Sequence, residues 1–254
     1  MEQLLSMNVL DLFSGIGGFS LGLERAGMKT VAFCEIDLVC QEVLRKHWPD
    51  IPIFSDIRNL DESNIKQPID IVCGGFPCQD VSHCGNQEGL SFGTRSGLWA
   101  EEYRIIRIFK PKAAIIENVT GLLTGDGGGW FGTVLCDLAQ IGFSAQWHCI
   151  PASAVGACHN RERVWIVAYP NGSSLENMDI SQSILSYPKE SCRRQFARAI
   201  DAAIPADAYV KMRGDFNDVS GEMERIKQYG NTVVPQIPEI IGRAIMQLEY
   251  CQAI

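Results

Sequence analysis

Along the first 170 residues, short apolar runs alternate with stretches whose apolar positions recur every three or four residues. Asn8–Phe13, Lys29–Cys34, Ile69–Cys73, Ala113–Glu117, Ser144–Ile150 and Arg163–Ala168 read as strands. Phe19–Ala26, Leu38–His47, Ser96–Phe109 and Gly132–Ile141 have the spacing of helices. That alternation predicts an α/β fold, a parallel sheet with helices on both faces. Such sheets place their ligands beyond the carboxyl ends of the strands. The pattern weakens after Pro170. Asn171–Glu224 is rich in Ser, Asn, Asp and Arg; Gln228–Pro235 is a turn punctuated by Gly and Pro, and Pro238–Leu248 reads as a terminal helix. Three parts are expected: a main domain over 1–169, a small inserted lobe over 170–224, and a segment over 225–254 that returns to the main domain.

Composition narrows the class. A hydrophobic fraction of 46% and a charged fraction of 20% are ordinary for a globular enzyme. No apolar run approaches the ~18 residues of a membrane helix, and the N-terminus lacks the pattern of a signal peptide. The expected location is the cytoplasm. The ten cysteines show no CxxC spacing and are expected to be reduced, nearly all packing as small apolar residues. A net charge of −8 argues at first against a nucleic-acid partner, yet Pro151–Gly230 holds ten basic and ten acidic residues. Charge therefore permits a DNA partner without demanding one.

Four segments carry candidate chemistry, each at the end of an expected strand. In Asp11–Gly27, a strand runs into Gly15, Gly17 and Gly18 before a helix opens, so backbone amides can approach a ligand closely. The dinucleotide pattern GxGxxG fails because Ser20 holds its third glycine position, which favours a smaller nucleoside ligand. Glu35, closing the second strand, could accept hydrogen bonds from a ribose diol. In Gly74–Ser82, two glycines and a proline place Cys78 on an ordered polar loop, unlike a buried filler cysteine. Glu117 closes a buried strand, which is costly unless something pairs with it. Arg161 and Arg163 alternate into the last strand and so point the same way, which suits an anion or carboxylate partner.

Taken in order and spacing, FSGIGG, PCQ, ENV, RER and YGNTVVP resemble the DNA (cytosine-5) methyltransferases of the bacterial and phage type, over Val9–Ala168 and Arg225–Ile245. The resemblance implies a Rossmann-like fold that uses S-adenosylmethionine, with a mixed, mainly parallel sheet and a small target-recognition lobe. It implies a cofactor turn at Phe13, Gly15, Gly17 and Gly18. Glu35 would hold the ribose, Ile36, Asp56 and Ile57 would contact the adenine, and Asn231 and Val233 would close over the methionine end. It implies no metal. Cys78 would add to C6 of a flipped-out cytosine, Glu117 would hold or protonate N3, Arg161 would stabilise the adduct at the O2 side, and Arg163 would support the site electrostatically.

Against the family pattern, His159 stands where the arginine motif usually begins with Gln, Thr232 where Ser is common, and the recognition stretch is only 55 residues long. Within that stretch Arg193, Arg194 and Arg198 are expected to grip phosphates more than they read bases. The expected partner is double-stranded DNA, with a monomer as the expected state; the enzyme could accompany a restriction endonuclease or stand alone, as phage-type enzymes do. The PCQ motif favours DNA over RNA cytosine. The failed dinucleotide pattern weighs against a nicotinamide oxidoreductase, and the joint presence of Cys78, Glu117 and Arg161 weighs against a non-catalytic DNA-binding relative.

Overall fold

The computed structural model describes residues 6–77, 97–188 and 232–252. Seven strands form one sheet in the order β3-β2-β1-β4-β5-β7-β6. These are β1 (Asn8–Leu12), β2 (Lys29–Cys34), β3 (Ile53–Phe54), β4 (Ile71–Gly74), β5 (Ala113–Val119), β6 (Phe143–Pro151) and β7 (Glu162–Pro170). The β1–β2, β1–β4, β2–β3 and β4–β5 pairs are parallel, whereas β7 runs antiparallel between β5 and β6. The expected α/β architecture is present, mixed and mainly parallel as the resemblance implied. Only β3 went unread: two residues are too few to establish a period.

Between strands run α1 (Gly18–Arg25), α2 (Leu38–His47), α3 (Leu98–Phe109) and α4 (Gly129–Gln140). Asp37 caps α2 by accepting from the Val39 and Cys40 amides, a local reason for the helix to begin at Leu38. Strand alternation divides the apolar residues into two cores. Leu10, Leu12, Val72, Ala114 and Ile116 face α3 and α4, joined by Ile105, Ile106, Val134 and Leu138. Val9, Ile71, Ile115, Trp165 and Val167 form the other core with Phe19, Leu23 and the C-terminal helix α6 (Gln236–Gln252). Leu175, Met178 and Ile180 belong to this second core, so α5 (Ile180–Ser186) packs against α6.

Helix α6 brings the end of the described chain back onto α1, the helix that follows the glycine turn. The crossing is tight. A methyl group at Gly22 would come within 2.2 Å of the Pro235 carbonyl oxygen, and one at Gly242 within 2.8 Å of Ala26 Cβ. Beside it, Glu239 accepts from Arg243 at 2.9 Å and from the Tyr187 hydroxyl at 3.1 Å. Gly22→Ala should therefore cost about 1–3 kcal/mol of stability through overpacking. Gly132→Ala, in α4 with open space around it, should gain about 0.5–1 kcal/mol from helix propensity. Urea denaturation of both variants checks the pair; equal effects would mean the α1–α6 crossing yields freely.

Candidate active site

The cofactor-type turn grows from the carboxyl end of β1. Phe13 has φ +50°, a left-handed conformation that a bulky residue adopts only where its surroundings impose it. Gly17 has φ +88° and caps α1, and a methyl group there would meet the Trp48 ring at 2.6 Å. Only glycine satisfies both conditions. Beneath the turn, Asp11 is fully buried and accepts from both the amide and the hydroxyl of Ser20, at 3.2 and 2.6 Å, pinning the first turn of α1. Burial pushes its pKa up to about 7.

Glu35 faces the same turn from the end of β2. One carboxylate oxygen accepts from the Gly15 amide at 2.6 Å and the other from the Asp37 amide at 2.8 Å. Each oxygen retains a lone pair for a further donor, such as a ribose hydroxyl. Burial raises its pKa, and the two amides oppose that shift. Gln41 donates to the Glu35 carbonyl at 2.6 Å and to Ser55 at 3.2 Å, tying this strand end to the turn after β3. In that turn Asp56 is gripped by Arg58 through three side-chain hydrogen bonds of 2.9, 3.1 and 2.7 Å, which hold its pKa down. Ile57 is buried, and its carbonyl accepts from Arg104 of α3 at 2.7 Å. Ile36 is 68% exposed, an apolar side chain facing outward beside Glu35.

The other half of the site lies where β4 and β5 end. Glu117, 8% exposed, has its Oε1 3.2 Å from Arg163 Nε and 3.5 Å from Arg161 Nη2. The carboxylate that the co-facing arginines called for is therefore the costly glutamate of the neighbouring strand. Antiparallel pairing of β5 with β7, with Val119 opposite Arg163, brings them together. Burial raises the Glu117 pKa against the lowering field of both guanidinium groups. Across from it, the glycine pair at the end of β4 leaves room for two carboxylates. A methyl group at Gly75 would lie 3.0 Å from Glu117 Oε2, and one at Gly74 would lie 2.8 Å from Glu102 Oε1. Asn118 donates to the Phe76 carbonyl at 3.1 Å and so fastens the start of the loop that leads to Cys78.

Thr232 and Val233 close over the glycine turn. A methyl group at Gly18 would meet Thr232 Cγ2 at 2.7 Å and the Val233 carbonyl oxygen at 2.8 Å. Phe13, Gly15, Gly17, Gly18, Glu35 and Val233 thus share one end of the sheet, with Asp56 and Ile57 in the adjoining turn, Glu117 two strands beyond β1 on β5, and Arg161 and Arg163 at the start of β7, the strand after that. Cys78, Asn231, Arg193, Arg194 and Arg198 lie outside the described residues.

Sequence reasoning missed Glu102 and Arg104. Glu102 is fully buried between α3 and the end of β4, and among the described residues neither of its oxygens has a hydrogen-bond partner of ordinary geometry. Its signal was present: Trp99, Glu102 and Ile106 follow the inward helical register, which places an acid where an apolar residue belongs. Arg104 pairs with Glu101 at 2.7 Å and donates to the carbonyls of Leu60 and Ile57, holding the turn after β3 against α3.

Comparison with known proteins gives a consistent picture. A family model described as C-5 cytosine-specific DNA methylase matches residues 7–208. The Type II methyltransferase M.HgiBI of Herpetosiphon aurantiacus is 32% identical over 231 residues, covering 82% of this chain and 51% of its own length. The Type II methyltransferase M.HhaI of Haemophilus parahaemolyticus is 33% identical over 176 residues, covering 69% of this chain and 53% of its own. Among solved structures, a putative DNA modification methyltransferase encoded within an E. coli prophage is similar with a TM-score of 0.57 at 29% identity, over 68% of this chain and 49% of that one. The chain spans about half the length of the curated relatives it matches.

Glu102 generates a pH-dependent prediction. Burial pushes its pKa up to about 8, opposed by the Phe76 amide and aided to a smaller degree by the Glu117 charge. A folded-state pKa above the unfolded value means stability present at low pH and lost as pH rises toward the folded pKa. Glu102→Gln, which mimics the protonated acid, should gain on the native protein from about pH 5 upward and level off above about 8. The final gap is on the order of 4 kcal/mol. Chemical denaturation across that range checks it, and a gap that stays flat would mean Glu102 does not hold its proton.

Proposed function

The chain belongs to the C-5 cytosine-specific DNA methylases, and from that premise we propose that it methylates C5 of a flipped-out cytosine in DNA with S-adenosylmethionine as methyl donor. The observation that carries this reading is the meeting of Glu117, Arg161 and Arg163 beside the strand end that leads directly into Pro77 and Cys78. An anionic adduct on a pyrimidine needs a proton source and positive charge together, and this site holds both.

The residues present fit the cofactor. Glu35 offers lone pairs at the end of β2, Ile36 offers an exposed apolar surface beside it, and the glycine turn leaves its backbone open to close approach. In this reading Glu35 holds the ribose, Ile36, Asp56 and Ile57 flank the adenine, and Asn231 with Val233 closes over the methionine end. Asp56 keeps its own carboxylate engaged with Arg58, so the backbone of its turn is the part most open to the base. When bound, S-adenosylmethionine supplies the methyl group to C5 and departs as S-adenosylhomocysteine.

The chain's own residues do the rest. The Cys78 thiolate forms a bond to C6, and the ring electrons move toward C5 as N3 takes a proton from Glu117. Arg161 faces the O2 side, where charge develops, and Arg163 holds the Glu117 carboxylate in place. After methylation a base removes the C5 proton, and the electron pair left behind expels Cys78 from C6 as N3 returns its proton to Glu117. Residues 170–224 would form the lobe that meets double-stranded DNA, its first part through Tyr187 fastened to the main domain by Leu175, Met178 and Ile180. Arg193, Arg194 and Arg198 would meet phosphates there. The setting is the cytoplasm of a bacterium or a phage-infected host, with or without an accompanying restriction endonuclease.

Transfer of labelled methyl from S-adenosylmethionine to DNA, to RNA and to neither is the direct test. Label should enter DNA, and Cys78→Ser should abolish incorporation while keeping cofactor affinity within a few-fold, because an alcohol is a far weaker nucleophile than a thiol. Label in RNA alone, or turnover by the serine variant, contradicts the reading. Glu35→Ala should weaken cofactor binding by about 1–3 kcal/mol, the order of a lost hydrogen bond to a charged acceptor. Unchanged affinity by calorimetry would place the ribose elsewhere.

A further inference from the structure

Among the described residues, Arg161 reaches two elements of the fold. Its Nη2 lies 3.5 Å from Glu117 on β5, and its Nη1 donates to the carbonyl oxygen of Thr232, 71 residues further along the chain. Thr232 in turn lies on the glycine turn: its Oγ1 would be 3.9 Å from a methyl group at Gly15, and its Cγ2 would be 2.7 Å from one at Gly18. One guanidinium therefore bridges the carboxylate at the end of β5 and the strap over the turn after β1. Arg163, closer to Glu117 at 3.2 Å, donates otherwise to its own neighbour, the Glu162 carbonyl, and so stays within β7.

We propose that Arg161 is a positioning residue for the cofactor: it latches the Thr232–Val233 strap over the glycine turn, so that cofactor closure and the charge state around Glu117 depend on one side chain. The proposal rests on the methyltransferase reading for the identity of the ligand, whereas the latch itself rests on the bridge alone. The guanidinium is planar and always charged, with donors fixed in a fork, so one arm can hold a backbone carbonyl while the other holds a carboxylate. Lysine, a point charge on a flexible stem, cannot span both with fixed geometry. Any coupling between the two ends of such a bridge is reciprocal in binding free energy. A pyrimidine drawing on the Arg161 charge would thereby alter cofactor affinity without touching the cofactor.

Two measurements on Arg161→Ala, Arg161→Lys and Arg163→Ala test this, each variant first shown to be folded by circular dichroism. Hydrogen exchange without any ligand reads the latch directly. Amides of Val233 and Val234 should exchange faster, by about tenfold or more, in both Arg161 variants and at the native rate in Arg163→Ala. Calorimetry with S-adenosylmethionine should show affinity reduced by about tenfold in Arg161→Ala, the loss expected for one hydrogen bond to a charged group, and unchanged in Arg163→Ala. Native exchange in Arg161→Ala, or equal loosening by Arg163→Ala, overturns the proposal. Faster exchange in a protein whose native form binds no S-adenosylmethionine would sustain the latch while removing the cofactor reading, so the two failures are distinguishable. Faster exchange with cofactor affinity intact would also overturn the proposal, by showing a strap that the cofactor does not use.

Discussion

A carboxylate buried at the end of a central strand is the constraint on which this site depends. Glu117 cannot remain there as an unpaired charge, because desolvating a carboxylate costs several kcal/mol on the usual scale. The protein's answer is topological. Reversing β7 between β5 and β6 runs a strand back past the end of β5, and that strand enters with Arg161 and Arg163 on the side of Glu117. An all-parallel sheet would have carried those arginines to the opposite end. The antiparallel strand is thus the element that makes a buried acid tolerable at the end of β5.

The same acid shapes the backbone opposite. A side chain at Gly75 would crowd Glu117, and one at Gly74 would crowd Glu102 from the other face of the sheet. Two consecutive residues thereby run between two carboxyl groups, and Asn118 ties the next part of the loop down through Phe76. The loop entering Pro77 is positioned by contacts on both faces before Cys78 is reached. At the cofactor turn the logic is similar: the left-handed Phe13, the buried Asp11 and the Trp48 ring against Gly17 determine the path of the backbone, and Glu35 locks it through the Gly15 amide.

Much of this was legible in the order of residues. The strands β1, β2, β4, β5, β6 and β7 and the helices α1 to α4 were readable from the pattern of apolar positions, and α2 was readable to its terminal residues. Pairing between Glu117 and the two arginines could be anticipated from the cost of burial and from strand alternation, without knowing which partner each would find. The antiparallel direction of β7 could not, since period carries no sign of direction. Glu102 was hidden in a run of two glutamates that resembles a solvated helix face, although its register with Trp99 and Ile106 points inward. Arg104 was hidden for the opposite reason: an arginine on a helix is ordinary, and only the fold reveals that Leu60 and Ile57 receive its hydrogen bonds.

In the proposed reaction a thiol at Cys78 adds to the pyrimidine while Glu117 and the arginines hold the ring. Duplex DNA carrying 5-fluorocytosine in place of cytosine at the methylated position tests it most directly, because fluorine cannot leave as a proton does and the adduct cannot resolve. With S-adenosylmethionine present, the native protein should form a complex that survives denaturation, with the mass of protein plus methylated oligonucleotide, and Cys78→Ser should form none. Active protein that methylates ordinary DNA yet traps no adduct on the fluorinated strand would contradict addition at C6, and with it the account of why this site is built as it is.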